Sequence, residues 1–271
     1  TGGKLTLKME PLLFDMDEVV VTAQINPVKA DNSIYKVSVI NSLDIQQKAA
    51  NDLSGVLRNE LGFRVSQDVL GSKLSLNGLG GEHIKILVDG VPVIGRMAGN
   101  IDLSQLNMHN VDHIEIVEGP MSVMYGSNAL GGAINIITKE EKRRSFQTMV
   151  HTYYESVGVY NGDLGVTMNK KQHSFNLTGG RNFFSGYPKN DDSRYRLWKP
   201  KEQYFTDFYY LFSNERSKLK LKGNYFYETI LNRGSLIPPY FETALDSYFY
   251  TERYSGSLNY QYQLSDQSKI E

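Results

Sequence analysis

The spacing of apolar positions predicts a helix early in the chain. In the stretch "SLDIQQKAANDLSGVLRNELGF", which begins at Ser42, apolar residues recur at helical intervals. Asn51 or Asp52 is placed to cap the helix at its start, and Gly62 is placed to end it. The apolar side of this helix would carry Leu53, Val56, Leu57 and Leu61.

Short strands and turns are predicted after the helix. The segment "KLSLNGLGGEHIKILVDGVPV" indicates three strands separated by turns, and its "VDG" at 88–90 is a hairpin signal. A short helix, a strand over 112–117 and a strand over 133–138 follow. Residues 25–140 are therefore predicted to form a mixed α/β domain.

A different pattern begins after residue 145, where apolar and polar residues alternate over long stretches. Six such strands are predicted, over about 145–156, 159–169, 172–183, 202–213, 217–228 and 248–264. Each is at least as long as the ~9–11 residues that a transmembrane strand needs. In the fifth, one face would carry Leu219, Leu221, Tyr225 and Tyr227, and the other Lys218, Lys220, Lys222, Asn224 and Glu228, with Phe226 as an apolar exception.

The links between these strands differ in length. Those near 157, 170 and 214 are tight, whereas those at 184–201 and 229–247 are long, and 16 of the 18 tyrosines follow residue 140. Short turns on one side, long loops on the other and tyrosines near strand ends are typical of an outer-membrane barrel. A soluble antiparallel sandwich also alternates and is the alternative fold.

Composition narrows the class of protein. The 271-residue chain has a net charge of −1 and no cysteine. The charge argues against a nucleic-acid binder, and the lack of cysteine excludes disulfides and thiolate zinc sites. The charged run "KEEKRRS" at 139–145 marks a break in composition. We therefore expect an N-terminal segment over 1–24, the mixed domain over 25–140 and the long strands over 141–271.

Several kinds of chemistry can be set aside. The glycine-rich stretch at 117–139 lacks G-x-G-x-x-G spacing, and its "YGSNA" lacks the G-x-S-x-G of a serine hydrolase. His109 and His113 are four residues apart, but a predicted strand separates their directions and no third ligand is near in sequence. We expect no catalytic residue, no resident metal and no cofactor, and we expect the glycines to be structural.

The glycine-rich stretch resembles the plug domain of TonB-dependent outer-membrane receptors, in which a G-P turn precedes a "YGS-A-GG-INI-TK" run. The matching residues are Gly119, Pro120, Tyr125, Gly126, Ser127, Ala129, Gly131, Gly132, Ile134, Asn135, Ile136, Thr138 and Lys139. "ILVDGVPV", "DLSQL" and "HIEIVEGP" match in order and spacing. The resemblance implies a mixed α/β plug domain followed by antiparallel transmembrane β-barrel strands, the N-terminal part of a plugged barrel.

The resemblance also implies an active transporter of the bacterial outer membrane and not an enzyme. "DEVVVTA" is similar to the TonB box, a segment that pairs with the energy-coupling protein TonB as an added strand. The implied TonB-binding residues are Asp17, Glu18, Val19, Val20, Val21, Thr22 and Ala23. A surface lipoprotein is a further partner consistent with the resemblance, whereas nucleic acid is not.

The cargo implied by the resemblance is a small-molecule chelate, with iron bound to a siderophore or haem as the first expectation. The loop 93–100 would lie at the plug apex, where the candidate substrate-binding residues are Ile94, Arg96, Met97 and Ala98. The long loops carry Tyr187, Tyr195, Trp198 and Tyr240, which are suited to stacking on a planar ligand. A cobalamin receptor, which "DLSQL" resembles, is one alternative. A soluble binding module of an α/β domain and a β-sandwich is the other.

Two positions depart from the family pattern. Family plugs often carry arginine where this chain has Asn77 and Glu118, and those arginines usually pair with carboxylates of the barrel wall. We therefore expect different ion pairs between plug and barrel, with a reversed polarity at Glu118 as one arrangement.

Overall fold

A computed structural model describes residues 20–21, 28–29, 36–68, 71–95, 101–120, 129–139, 144–188, 194–265 and 268–270. The described residues form a small domain of short elements (residues 36–139) and a long-strand sheet (residues 146–270). None of the described helices is long and apolar enough to cross a bilayer.

The small domain is built around a five-stranded mixed sheet. Its elements are β3 (Lys36–Asn41), α1 (Ser42–Gln47), α2 (Leu53–Leu57), β4 (Phe63–Asp68), β5 (Gly71–Leu76), β6 (Leu79–Gly80), β7 (Ile84–Val88), β8 (Val91–Pro92), β9 (Val111–Glu118) and β10 (Gly132–Thr138). The sheet order is β3-β9-β10-β7-β8, while β4, β5 and β6 form a separate sheet. Ahead of the domain, β1 (Val20–Val21) pairs with β2 (Val28–Lys29). The mixed α/β prediction is confirmed.

The predicted helix is in fact two short helices. Asn41 Oδ1 accepts from the Asp44 amide at 2.9 Å to begin α1, and Asp52 Oδ1 accepts from the Gly55 amide at 2.9 Å to begin α2. Ala49, with φ +48°, separates them. Because α2 ends at Leu57, the prediction for Leu61 is wrong, and its side chain is 94% exposed.

Aliphatic side chains from both helices and the central sheet form one core. Burial is complete or nearly so for Leu53, Val56, Leu57, Leu76, Leu103, Ile114 and Ile134. Each such side chain contributes about 1.5–3 kcal/mol when it leaves water. Leu53, Val56 and Leu57, which the helical spacing predicts to share one face, therefore pack α2 into this core.

The glycine-rich stretch closes the central sheet. Gly131 donates its amide to the His83 carbonyl at 2.8 Å, and Gly132 begins β10 with φ +136°. A Cβ at Gly132 would lie 2.3 Å from the Val117 carbonyl oxygen, so β9 and β10 can meet only because this residue is glycine. The predicted helical turn to Tyr125 lies outside the described residues.

The long-strand sheet is an antiparallel meander. Its strands are β11 (Phe146–Glu155), β12 (Val159–Lys170), β13 (His173–Phe184), β16 (Lys201–Ser213), β17 (Ser217–Asn232), β18 (Ser247–Ser265) and β19 (Ser268–Ile270), paired in that order. A small ribbon of β14 (Tyr187–Pro188) and β15 (Arg196–Trp198) lies within one link. The six predicted strands are confirmed, with ends that shift by four residues or fewer.

The two faces of this sheet differ as the alternation predicts. The face against the small domain, which we call the inner face, buries polar side chains: Asp163, Thr178, Gln203 and Glu228. The other, outer face exposes apolar ones: Leu164, Met168, Leu221, Tyr254 and Leu258. Phe226, the predicted exception, lies on the inner face and is buried. One sheet, covered by a separate domain on its polar side, does not fit the sandwich alternative.

The links alternate between the two ends of the sheet. Because neighbouring strands are antiparallel, the links 156–158, 185–200 and 233–246 lie at one end, and 171–172 and 214–216 lie at the other. The tight link at 156–158 therefore belongs to the end that carries the long loops. Its short length predicts that it lies with the turns near 170 and 214, and this prediction is wrong.

Candidate functional site

A buried polar cluster joins the small domain to the inner face of the sheet. Gln105 Nε2 donates to Glu228 Oε1 at 2.9 Å, and Arg253 Nη1 donates to Gln105 Oε1 at 3.1 Å. The second oxygen of Glu228 accepts from Gln203 Nε2 at 2.8 Å. Glu228 is fully buried, and hydrogen bonds to both oxygens offset the cost of taking its carboxylate out of water.

A second contact surrounds Asp102, which lies at the start of the "DLSQL" segment. Its Oδ1 accepts from the amides of Ser72 and Ser104 at 2.9 and 3.1 Å, while Lys201 Nζ donates to Ser104 Oγ at 2.5 Å. Burial raises the pKa of Asp102, but the Lys201 cation and these hydrogen bonds outweigh burial and hold the pKa below its usual range. A Cβ at Gly71 would lie 2.0 Å from Asp102 Oδ2, so the glycine makes room for the carboxylate.

A third contact joins the hairpin turn at Asp89 to the inner face. Asp89, with φ +51°, accepts from the Thr138 amide at 3.0 Å and pairs with Lys222 Nζ at 2.7 Å. Lys222 also donates to Thr138 Oγ1 at 3.1 Å. At the Asp89 contact, the small domain supplies the carboxylate of the ion pair and the long-strand sheet supplies the lysine. The same polarity holds at Asp102, which Lys201 reaches through the hydroxyl of Ser104.

The two atypical positions, Asn77 and Glu118, contact each other. Asn77 Nδ2 donates to Glu118 Oε2 at 3.1 Å, and Glu118 pairs with Lys36 at 2.6 Å, so these partners all lie within the small domain. The polarity opposite to the family pattern therefore occurs at Asp89 and Asp102. The residues at positions 77 and 118 alone could not reveal this reversed polarity, because it occurs at other positions.

Two histidines that were not predicted to belong to a site, His109 and His151, lie beside a carboxylate between the small domain and the long-strand sheet. His109 Nε2 of the small domain is 3.3 Å from Asp163 Oδ1 of β12, and His151 Nδ1 of β11 is 3.1 Å from the same oxygen. His113, by contrast, points to Asp112 and Glu115 of its own strand. The pairing of His151 with Asp163 follows from the β11–β12 register, whereas the approach of His109 depends on how the two bodies pack.

The long loops are joined to each other by a bidentate ion pair. Arg194 Nη1 and Nη2 donate to the two oxygens of Asp246 at 2.6 and 2.8 Å. The hydrogen bonds from Arg194 lower the pKa of Asp246. The aromatic residues noted in these loops are exposed, and the Tyr187 and Trp198 rings lie 5.5 Å apart.

The predicted binding residues are described only in part. Val20 and Val21 form β1, whereas Asp17, Glu18, Val19, Thr22 and Ala23 lie outside the described residues. Ile94 is 81% exposed, whereas Arg96, Met97 and Ala98 lie outside the described residues. Ile94 lines a cavity of about 400 Å³ between the small domain and the inner face, together with Lys222 and Arg253.

A comparison with known sequences identifies the small domain. Residues 29–133 match the family model of the TonB-dependent receptor plug domain. The vitamin B12 transporter BtuB of Vibrio cholerae is 34% identical over 136 residues, which make up 49% of this chain and 22% of that protein. The chain thus spans less than a quarter of the length of this relative.

Solved structures share the arrangement of both bodies. The ferric enterobactin receptor PfeA of Pseudomonas aeruginosa matches with a TM-score of 0.66 at 18% identity, over 84% of this chain and 39% of that chain. The ferripyoverdine receptor of the same organism matches with a TM-score of 0.67 at 15% identity, over 89% and 33%. The copper transporter OprC matches with a TM-score of 0.64 at 18% identity, over 85% and 35%.

These relatives are outer-membrane receptors and transporters, not enzymes, and their fold places the small domain against the first strands of a barrel wall. Residues 29–133 therefore match the TonB-dependent receptor plug domain, and the described chain has the fold of such a plug set against the first strands of a receptor barrel.

Proposed function

We propose that the full-length receptor imports a scarce nutrient across the outer membrane, driven by TonB. The observation that supports this most is the polar contact between the plug and the inner face of the barrel wall. Gln105 and Gln203 meet Glu228 through hydrogen bonds, each with a net worth of about 1.5–3 kcal/mol because the acceptor is charged. Such polar contacts would hold the plug in the barrel without TonB and could be broken when TonB pulls on the plug.

The segment 17–23 is the proposed TonB-binding site. Val20 and Val21 already have extended backbone and pair antiparallel with β2. An extended segment can pair with a strand of another protein, and main-chain hydrogen bonds then supply the binding affinity. TonB would add to this strand or replace β2 as its partner.

An iron chelate is the first proposed cargo, carried as a siderophore or haem complex. The cavity of about 400 Å³ beside Ile94 has the size of a small-molecule site, and its lining carries both signs of charge, with Lys222 and Arg253 facing Asp89 and Asp207. Solved receptors of the same fold bind enterobactin and ferripyoverdine, although that likeness supports the fold alone.

Arg96 is proposed to contact an anionic cargo from the loop next to Ile94. Arg96→Ala should weaken binding of such a chelate to the purified full-length receptor by roughly tenfold or more, since a hydrogen bond to a charged group is worth about 1.5–3 kcal/mol. Titration calorimetry with a ferric siderophore measures this. Unchanged affinity would remove Arg96 from the site.

Cobalamin is the second candidate cargo. It is favoured by the 34% identity of the plug region to a vitamin B12 transporter. The match covers only 22% of that transporter, so this identity supports the class of receptor more strongly than it supports the ligand.

Growth of a strain that lacks the gene separates the two cargoes. The strain is grown under iron limitation and, separately, under cobalamin limitation, with the wild-type gene returned as a control. A defect confined to iron limitation supports a siderophore or haem receptor. A defect confined to cobalamin limitation would replace the first candidate with the second.

A further inference from the structure

We propose that His109, His151 and Asp163 bind a divalent transition-metal ion of the zinc class, which ties the plug to the first two strands of the barrel wall. His109 belongs to the plug, whereas His151 and Asp163 face each other across β11 and β12. One potential ligand atom from each of the three side chains lies within 4.8 Å of the others. Two imidazoles and a carboxylate form a ligand set that zinc commonly uses.

The distances fit coordination to a common centre. Zinc holds nitrogen and carboxylate ligands at about 2.0–2.2 Å, which sets neighbouring ligand atoms of a tetrahedron about 3.3–3.5 Å apart. Asp163 Oδ1 lies 3.3 Å from His109 Nε2 and 3.1 Å from His151 Nδ1. Small shifts of the exposed His151 ring would complete the arrangement around an ion.

Two buried atoms of the cluster lack a hydrogen-bond partner among the residues that the structure describes. They are His109 Nε2 and Asp163 Oδ2. The side chains that carry them are only 7% and 1% exposed, so water does not compensate them freely. A buried polar atom without a partner destabilises the folded protein. A cation bound by His109 Nε2 and by both carboxylate oxygens of Asp163 would satisfy both atoms at once.

The charges of the cluster also favour a cation. The Asp163 carboxylate is buried between the two bodies, and a divalent ion at its oxygens would compensate its negative charge.

Space for a fourth ligand adjoins the cluster. A cavity of about 30 Å³ is lined by His109, Thr167, Asn176 and Thr178. This volume is about that of one water molecule. A water in this cavity, which meets the cluster at His109, would supply the fourth ligand. The ion would then link the plug to the barrel wall whether or not cargo is bound.

The test measures zinc binding to the purified full-length receptor, stripped with a chelator and titrated with Zn²⁺ alone. We expect about one bound ion per receptor, with His151→Ala and Asp163→Asn weakening the affinity roughly 10–100-fold or more. His83→Ala, a plug histidine outside the cluster, is the matched control and should bind as wild type. Equal affinity in wild type and the cluster variants would overturn the proposal, as would no zinc binding at all.

Cobalt provides an independent readout. Co²⁺ in a four-coordinate nitrogen and oxygen site gives intense visible absorption, which His109→Ala should abolish and His83→Ala should keep. Folding of each variant is checked by its heat-dependent migration on gels. His151 is the most exposed of the three, so His151→Ala decides the question if either buried variant misfolds. Because no assay involves cargo, the outcome is independent of the proposed transport function.

Discussion

At the scale of single residues, Gly132 is the position where backbone geometry is most tightly fixed. Gly132→Ala would place a Cβ 2.3 Å from the Val117 carbonyl oxygen at a φ of +136°, so β9 and β10 would have to separate. We expect a loss of about 1–3 kcal/mol from local plug stability. Hydrogen exchange of the β9 and β10 amides in the full-length receptor measures this loss.

Gly78 supplies the matched control for this prediction. It also has a positive φ, of +87°, but a Cβ there would meet nothing within 4 Å. Gly78→Ala should therefore leave the exchange of β9 and β10 unchanged. Equal effects of the two substitutions would mean that the clash at Gly132 is relieved by relaxation.

His113 makes plug stability depend on pH. The hydrogen bond to Glu115 raises its pKa against the effect of burial, with help from Asp112. A raised pKa means stabilisation that is complete below the unfolded value of about 6.5 and is lost as the pH rises through the folded value. His113→Gln should therefore accelerate exchange of β9 amides at pH 6 more than at pH 8.5. An effect that is equal at both pH values would contradict this.

The residue scale also shows where prediction from sequence stops. Leu53, Val56 and Leu57 were predicted to be buried and are, because helical spacing directs them to one side. Leu61 was predicted with them and is exposed, because Ala49 and the end of α2 divide the helix in a way that apolar spacing does not report.

At the scale of elements, the contact between the "DLSQL" turn and β17 should govern how firmly the plug is seated. Gln105→Ala removes one hydrogen bond from the buried Glu228 carboxylate, at a cost of about 1.5–3 kcal/mol because the acceptor is charged. We expect faster hydrogen exchange over 101–107 in the full-length receptor.

Asn182→Ala is a suitable comparison, since Asn182 donates to Asn107 at 2.8 Å and both groups are neutral. Its effect should be smaller, about 0.5–1.5 kcal/mol. If the two variants behave alike, the charge of Glu228 does not strengthen the contact.

The strands of the barrel wall could be predicted from the sequence, whereas the contacts between these strands and the plug could not. Apolar and polar residues alternate along the long strands because successive residues face opposite sides of the sheet. The ends of β12, β13 and β16 therefore lie within about one residue of the predicted ends. His109 belongs to the small domain, whereas His151 and Asp163 belong to the long-strand sheet, and the three meet only where these two bodies pack together. No local pattern encodes such a meeting, so the cluster was missed.

At the scale of the whole molecule, binding and energised uptake should be separable. Deleting residues 17–23 removes the proposed TonB-binding strand but leaves the described part of the plug intact. We expect uptake to be abolished while the purified receptor binds its cargo with unchanged affinity. Uptake of radiolabelled cargo and titration of the purified receptor measure the two properties. Retained uptake would disprove the assignment of this segment.

The strand order of the plug sheet has a mechanical consequence. β3 is the first strand of this sheet along the chain and lies at its edge, whereas β10 lies in the middle, between β9 and β7. Tension applied to the chain ahead of Lys36 therefore reaches β3 first and can peel it from β9 while β10 keeps both neighbours. Unravelling would thus begin at one margin of the sheet, and β10, the last strand of this sheet along the chain, would be the last that the tension reaches.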